Sequence, residues 1–113
     1  MSEINITNLP ASINHTIYQG DSFVHHITIK EGGVLVDLTG DDFTLLIRDP
    51  RGGTELELEV GTGVTIVSTG NVKWELTGAQ TDGLTVNCPL KYSFRWDSRE
   101  KTIEAGQITV VKK

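Results

Sequence analysis

The residues of this 113-residue chain able to do chemistry are three histidines, one cysteine and two clusters of acids. His25 and His26 are adjacent, so on a strand they point to opposite faces and do not easily share one metal ion. His15 could join one of them across strands, but no His-x-x-x-His or Cys pair supports a ligand set. The histidines are therefore expected on sheet surfaces or partly buried. Cys88 has no base beside it, and Lys91 three residues on is weak support for an activated thiol. Preceding Pro89, it is expected to be a small buried apolar group. Asp41 and Asp42 sit at a turn, with Asp37 nearby. They could contribute to calcium binding, but no EF-hand pattern follows, and the sequence leaves calcium on Asp37, Asp41 and Asp42 open. Glu55, Glu57 and Glu59 alternate along one strand, where same-side residues lie about 6–7 Å apart. They could hold a cation only with help from elsewhere and are expected as a solvated face.

General acid–base work on sugars needs two carboxylates at a set separation, and nothing singles out such a pair. Gly61-Thr62-Gly63 is not followed by the Gly-Lys-Ser/Thr of a phosphate-cradling loop. No catalytic, cofactor-binding or metal residue is assigned, no cofactor is expected, and the chain is expected not to be an enzyme. Tyr18 and Trp74 are the aromatics that could face solvent as a sugar platform, although core positions are the commoner outcome in a sheet this small.

Ten Lys and Arg against fifteen Asp and Glu give a net charge of -5. That opposes a nucleic-acid surface, which needs basic clusters. Residues 31–60 hold eight acids and two bases, whereas residues 91–113 hold six bases and three acids. A homo-oligomer could pair these regions; solvated faces are the plainer expectation. A single cysteine excludes an internal disulfide. No apolar run approaches the ~20 residues of a membrane span, and no secretory signal is read, so the Asn5-Ile6-Thr7 and Asn14-His15-Thr16 sequons are expected to be chance.

The elements that must position these residues are strands. Val34 to Pro50 organises the chain. Thr39-Gly40-Asp41-Asp42 is a turn, because Gly tolerates positive φ and Asp bonds backbone two residues on. Phe43, Leu45 and Ile47 then alternate with polar positions, apart from Leu46, as in a central strand with neighbours on both sides. Phe23 to Lys30 alternates with Phe23, His25, Ile27 and Ile29 on one face. Leu90 to Asp97 alternates with Leu90, Tyr92, Phe94 and Trp96 inward. Leu56, Leu58 and Val60 share a face, as do Val72, Trp74 and Leu76, and Ile13 pairs in phase with Ile17. Thr77 to Leu84 is one helical turn at best, capped by Thr77 with Gly83 just past its end. Glu104-Ala105-Gly106 reads as a turn before a closing strand from Gln107 to Val111. Seven to nine short strands with glycine-rich turns predict an all-β chain, a sandwich or barrel, as a single domain over 1–113. Residues 1–10 are expected as an N-terminal arm or extra strand, with Ser2 to Thr7 able to pair with a neighbour's sheet edge or within its own sheet.

The order of motifs adds a resemblance. Tyr18-Gln19-Gly20-Asp21-Ser22-Phe23 is followed by Val36-Asp37-Leu38-Thr39-Gly40 and by Phe43 to Arg48. Leu76-Thr77-Gly78-Ala79-Gln80-Thr81-Asp82-Gly83-Leu84 precedes the Tyr92–Phe94 strand, a charged hairpin, and Gly106 to Val111. Over Tyr18 to Val111 this resembles small phage and prophage structural proteins similar to the N-terminal domain of the phage baseplate upper protein. The resemblance implies an immunoglobulin-like β-sandwich in a virion tail or baseplate, made in the host bacterial cytoplasm. It implies contacts with other virion proteins and a homo-oligomer through edge strands or the N-terminal arm, with no nucleic acid and no membrane. That family continues into a long helical region, so a stand-alone module or a fragment is expected here. A carbohydrate-binding sandwich and a calcium-dependent adhesin-like domain are the alternatives.

Overall fold

The computed structural model describes residues 2–5 and 10–112. Strand β6 (Phe43–Arg48) shows how the chain builds its sheets. Phe43, Leu45 and Ile47 turn inward and are buried, while Thr44 and Leu46 are half covered on the other face. β6 is central, as its composition predicts. It pairs antiparallel with β10 (Pro89–Trp96) on one side and with β7 (Thr54–Glu59) on the other. β10 carries Leu90, Tyr92, Phe94 and Trp96 inward and pairs next with β11 (Lys101–Val111). Beyond β11 run two short parallel strands, β2 (Ala11–Ser12) and β3 (His15–Tyr18).

The second sheet is built on β4 (Phe23–Glu31), with β1 (Ser2–Asn5) parallel to it on one side and β9 (Asn71–Leu76) antiparallel on the other. β8 (Val64–Ser68) follows β9, and β5 (Val34–Leu35) closes a hairpin on the end of β4. The two inner faces enclose one apolar core. Ile27, Ile29, Val72, Trp74 and Leu76 come from one sheet. Phe43, Ile47, Phe94, Trp96 and Ile108 come from the other. The architecture is an all-β, immunoglobulin-like sandwich, with one short α-helix and a 3-10 turn at Asp97–Arg99 among the described residues.

Local chemistry explains the joints. Asp37 Oδ1 accepts from the Thr39 N–H at 3.0 Å and its hydroxyl at 2.7 Å. Gly40 adopts φ +76°, and the Asp41 N–H closes the turn on the Leu38 carbonyl at 3.0 Å. Helix α1 (Gly78–Asp82) has Thr77 as its N-cap in a reciprocal capping box with Gln80. Gly83 follows it but stays right-handed at φ -85°, so the left-handed stop that glycine permits is not used.

Two expectations are corrected. Glu104-Ala105-Gly106 is not a turn: β11 runs unbroken through it, with Gly106 opposite Tyr92. Gly106 is needed there for close approach, since an added Cβ would lie 2.1 Å from the Ile13 carbonyl oxygen. Val60 does not join Leu58 inside but is 38% exposed, because β7 ends at Glu59 and the chain turns away. Of the expected arm over residues 1–10, residues 1 and 6–9 lie outside the described residues. Ser2–Asn5 lies beside β4 in the chain's own sheet, with Ile4 buried.

Phe94 stacks on Phe43 at 5.3 Å with 7° between ring planes, and Phe43 stacks in turn on Trp96. Phe94→Ala is expected to lower stability by about 3–5 kcal/mol in a denaturant melt. A midpoint within a few degrees of the parent in a thermal melt would remove the stack from any central role. Gly106→Ala is expected to lower stability by about 1–3 kcal/mol and to raise amide exchange over residues 11–18. Unchanged exchange there would refute the close-approach argument.

Candidate functional site

The acids that drew attention in the sequence are engaged in holding turns. Asp41 Oδ2 accepts from Trp96 Nε1 at 2.9 Å, and the Arg99 guanidinium lies 4.7 Å over the same indole. The Asp42 N–H donates to Ser98 Oγ at 2.8 Å, and the Asp97 N–H donates to the Asp42 carbonyl at 2.9 Å. Hydrogen bonds from the Thr39 hydroxyl and N–H pull the Asp37 carboxyl below the usual range. Asp37, Asp41 and Asp42 do not converge as a ligand set among the described residues. Glu55 is tied down rather than merely solvated: its carboxylate accepts from Thr85 N at 2.9 Å and Thr85 Oγ1 at 2.8 Å. Glu57 and Glu59 are exposed on edge strand β7.

Trp74 is wholly buried, so it is no sugar platform; Tyr18 is 56% exposed. Cys88 is half-buried and packs against the core. His26 faces solvent, opposite to His25, as adjacency on a strand requires. The described residues have no helix long and apolar enough to cross a membrane.

The structure does assemble one cluster that the sequence left apart. His25 on β4 and Glu104 on β11 face each other across the sandwich. His25 Nε2 lies 3.1 Å from both carboxylate oxygens of Glu104, which is fully buried. His15 on β3 completes the group, its ring centroid 4.6 Å from that of His25. One ligand-capable atom from each of the three lies within 4.8 Å of the others.

Each position has a local cause. The register of β10 against β11 shifts between Phe94 and Arg95, so that Phe94 faces Glu104 and Arg95 faces Thr102. The extra residue is Ile103, and the bulge lets consecutive residues Ile103 and Glu104 both be buried. His25 shares the inner face of Phe23, Ile27 and Ile29. His15 falls in phase with Ile13 and Ile17, the alternation that could have flagged it. Glu104 had no such signal, because a bulge depends on a partner strand.

The cluster sits in an aromatic layer. His15 makes edge contacts with Phe23 at 5.3 Å and Trp74 at 5.5 Å, and His25 lies 5.4 Å from Trp74. Tyr92 Oη donates to the Ile13 carbonyl at 2.8 Å and lies 3.3 Å from His15 Nε2. The hydroxyl hydrogen is used on Ile13, so toward His15 the oxygen is an acceptor. That places the imidazole proton on Nε2 and leaves the lone pair on Nδ1. Burial, and then the neighbouring His25, lower the His15 pKa from 6.5 to about 4, so the ring is neutral at pH 7. Burial and the Glu104 charge push the Tyr92 hydroxyl well up.

The sandwich and its interior pair define an immunoglobulin-like β module with a polar bridge between its sheets. Its fold is similar to the N-terminal domain of phage TP901-1 ORF48, with a TM-score of 0.56 and 16% identity over 98% of this chain and 99% of that one. No family model and no curated protein matches the chain. The phage-domain fold implied by the motif order from Tyr18 to Val111 is therefore met.

The depressed His15 pKa fixes a sign. The folded state resists a proton that the unfolded chain accepts below pH 6.5, so stability present above that pH is lost as pH falls toward about 4. Urea melts from pH 7 to 4 are expected to show this decline, and His15→Asn to flatten it. An equal slope in the variant would assign the acid sensitivity to other groups.

Proposed function

We propose that this chain is a non-enzymatic structural module of a bacteriophage virion, in the tail or baseplate, acting through protein–protein contacts. The observation that carries the reading is the end-to-end fold likeness to the N-terminal domain of a phage protein. The carboxylates of Asp37 and Asp41 support it, since both are engaged within the chain, Asp37 by Thr39 and Asp41 by the Trp96 indole.

Residues 1–113 act in this reading as one module, whose partners are other virion proteins or further copies of itself. Contacts fall to the strands that end the sheets in the described residues, β1 and β8 in one sheet and β7 with β2 and β3 in the other. An edge strand offers backbone groups to a further strand, and partner side chains then set the choice. β8 exposes Val67, while β7 presents Glu57 and Glu59, so the two edges suit different partners. The module is made in the host bacterial cytoplasm and works in the particle.

The test is particle association. Antibody raised against the chain is applied to phage particles purified by density gradient from the strain that encodes it. Label at one end of the particle, co-sedimenting with intact virions, is the expected result. Chain found only in the particle-free fractions would refute the assignment. Light-scattering chromatography over a range of concentrations then separates a self-assembling ring from a module that waits for its partner.

A further inference from the structure

We propose that His15, His25 and Glu104 form a binding site for a divalent transition-metal ion of the Zn²⁺ class, set between the two sheets. This inference stands apart from the virion reading and rests on the interior geometry alone.

The donor set decides the class of ion. Two imidazoles and one carboxylate suit zinc and its first-row neighbours, whereas calcium and magnesium take oxygen ligands. The spacing fits with a small adjustment. Ligand atoms about 2.0–2.1 Å from a tetrahedral zinc stand roughly 3.3 Å from one another. His25 Nε2 and the Glu104 oxygens are already 3.1 Å apart. The widest separation in the triad, within 4.8 Å, closes if His15 swings inward. His15 is the least buried of the three, half-covered on a short strand, whereas His25 and Glu104 are buried.

One further feature supports a ligand rather than a bare pair. Tyr92 Oη accepts a hydrogen bond from the His15 Nε2–H, which leaves Nδ1 as the unprotonated nitrogen. Metal-bound histidines are typically held this way, by an acceptor on the nitrogen that does not ligate. Three protein ligands leave a zinc ion one position for water or a partner's side chain.

The test uses the full chain after chelation and dialysis. Zn²⁺ at roughly 100-fold above its dissociation constant is expected to raise the melting temperature by about 10 °C, and Ca²⁺ and Mg²⁺ to leave it unchanged. Co²⁺ is expected to give the visible absorption of a tetrahedral site. His15→Asn should abolish both responses and His26→Ala should keep them. Tyr92→Phe should weaken Zn²⁺ binding by about 10–100-fold. In wild-type protein the imidazole NMR signals of His15 and His25 should shift together on Zn²⁺ addition while His26 stays, a readout that needs no variant to fold. No Zn²⁺ response in the wild type would overturn the site and leave a hydrogen-bonded pair only. A response that survives His15→Asn, or that moves His26 alone, would place the ion elsewhere and overturn it equally.

Discussion

The Glu104 carboxylate is the constraint around which the sandwich is arranged. A buried carboxylate loses its water and must be compensated within the protein. Here a strand of the opposite sheet does so, with both oxygens 3.1 Å from His25 Nε2. An apolar contact between sheets has no preferred direction, whereas a bifurcated hydrogen bond weakens as its distances and angles depart from a narrow range. The pair therefore fixes how β4 lies over β11, and with them the sheets they belong to. Replacing such pairs with apolar residues can leave stability equal or higher. Its value here lies in the single alignment it permits.

The N-terminal third is organised by the same region. β2 and β3 add to β11 in parallel, an uncommon way to extend a sheet with such short strands, and they need anchors beyond the ladder. The Ile13 carbonyl accepts from Tyr92 Oη and presses on the Cα of Gly106. Asn14 Oδ1 accepts from the Gln107 N–H at 3.0 Å, and the Ile13 N–H donates to the Ala105 carbonyl at 3.2 Å. These contacts carry the chain across the gap between β2 and β3 and deliver His15 to the interior. One bulge, one glycine and one tyrosine hydroxyl thus account for a cluster drawn from three separate strands.

That division explains what was legible in the sequence. β4, β6 and β10 show their inner faces as plain alternation, because burial on a strand is decided every second residue. The Thr77 cap and the turn over Thr39 to Asp42 are equally local and equally readable. Glu104 was not. Its burial depends on a register shift against β10, and an acid beside Ala and Gly reads as a turn when the partner strand is unknown. Gly106 misled for the same reason: its job is to admit the Ile13 carbonyl, a neighbour more than ninety positions away in the chain. His25 was placed on its correct face and His15 was left unassigned beside Ile13 and Ile17, and only the topology makes those faces meet.

The interior cluster and the outer edges also make separate demands on the chain. Edge pairing works through backbone groups and tolerates wide change in side chains, provided the frame holds its shape. A fold carried end to end at 16% identity shows how little of a sandwich's sequence its frame requires. A His–His–Glu cluster is the opposite kind of feature, since each donor atom must fall within ångströms of the others. Placing it between the sheets leaves every edge available to a partner. A metal ion held there would bind the folded state alone and so stiffen the frame on which edge contacts depend. Interior chemistry and surface assembly are thus compatible in one small module, with the first able to strengthen the second.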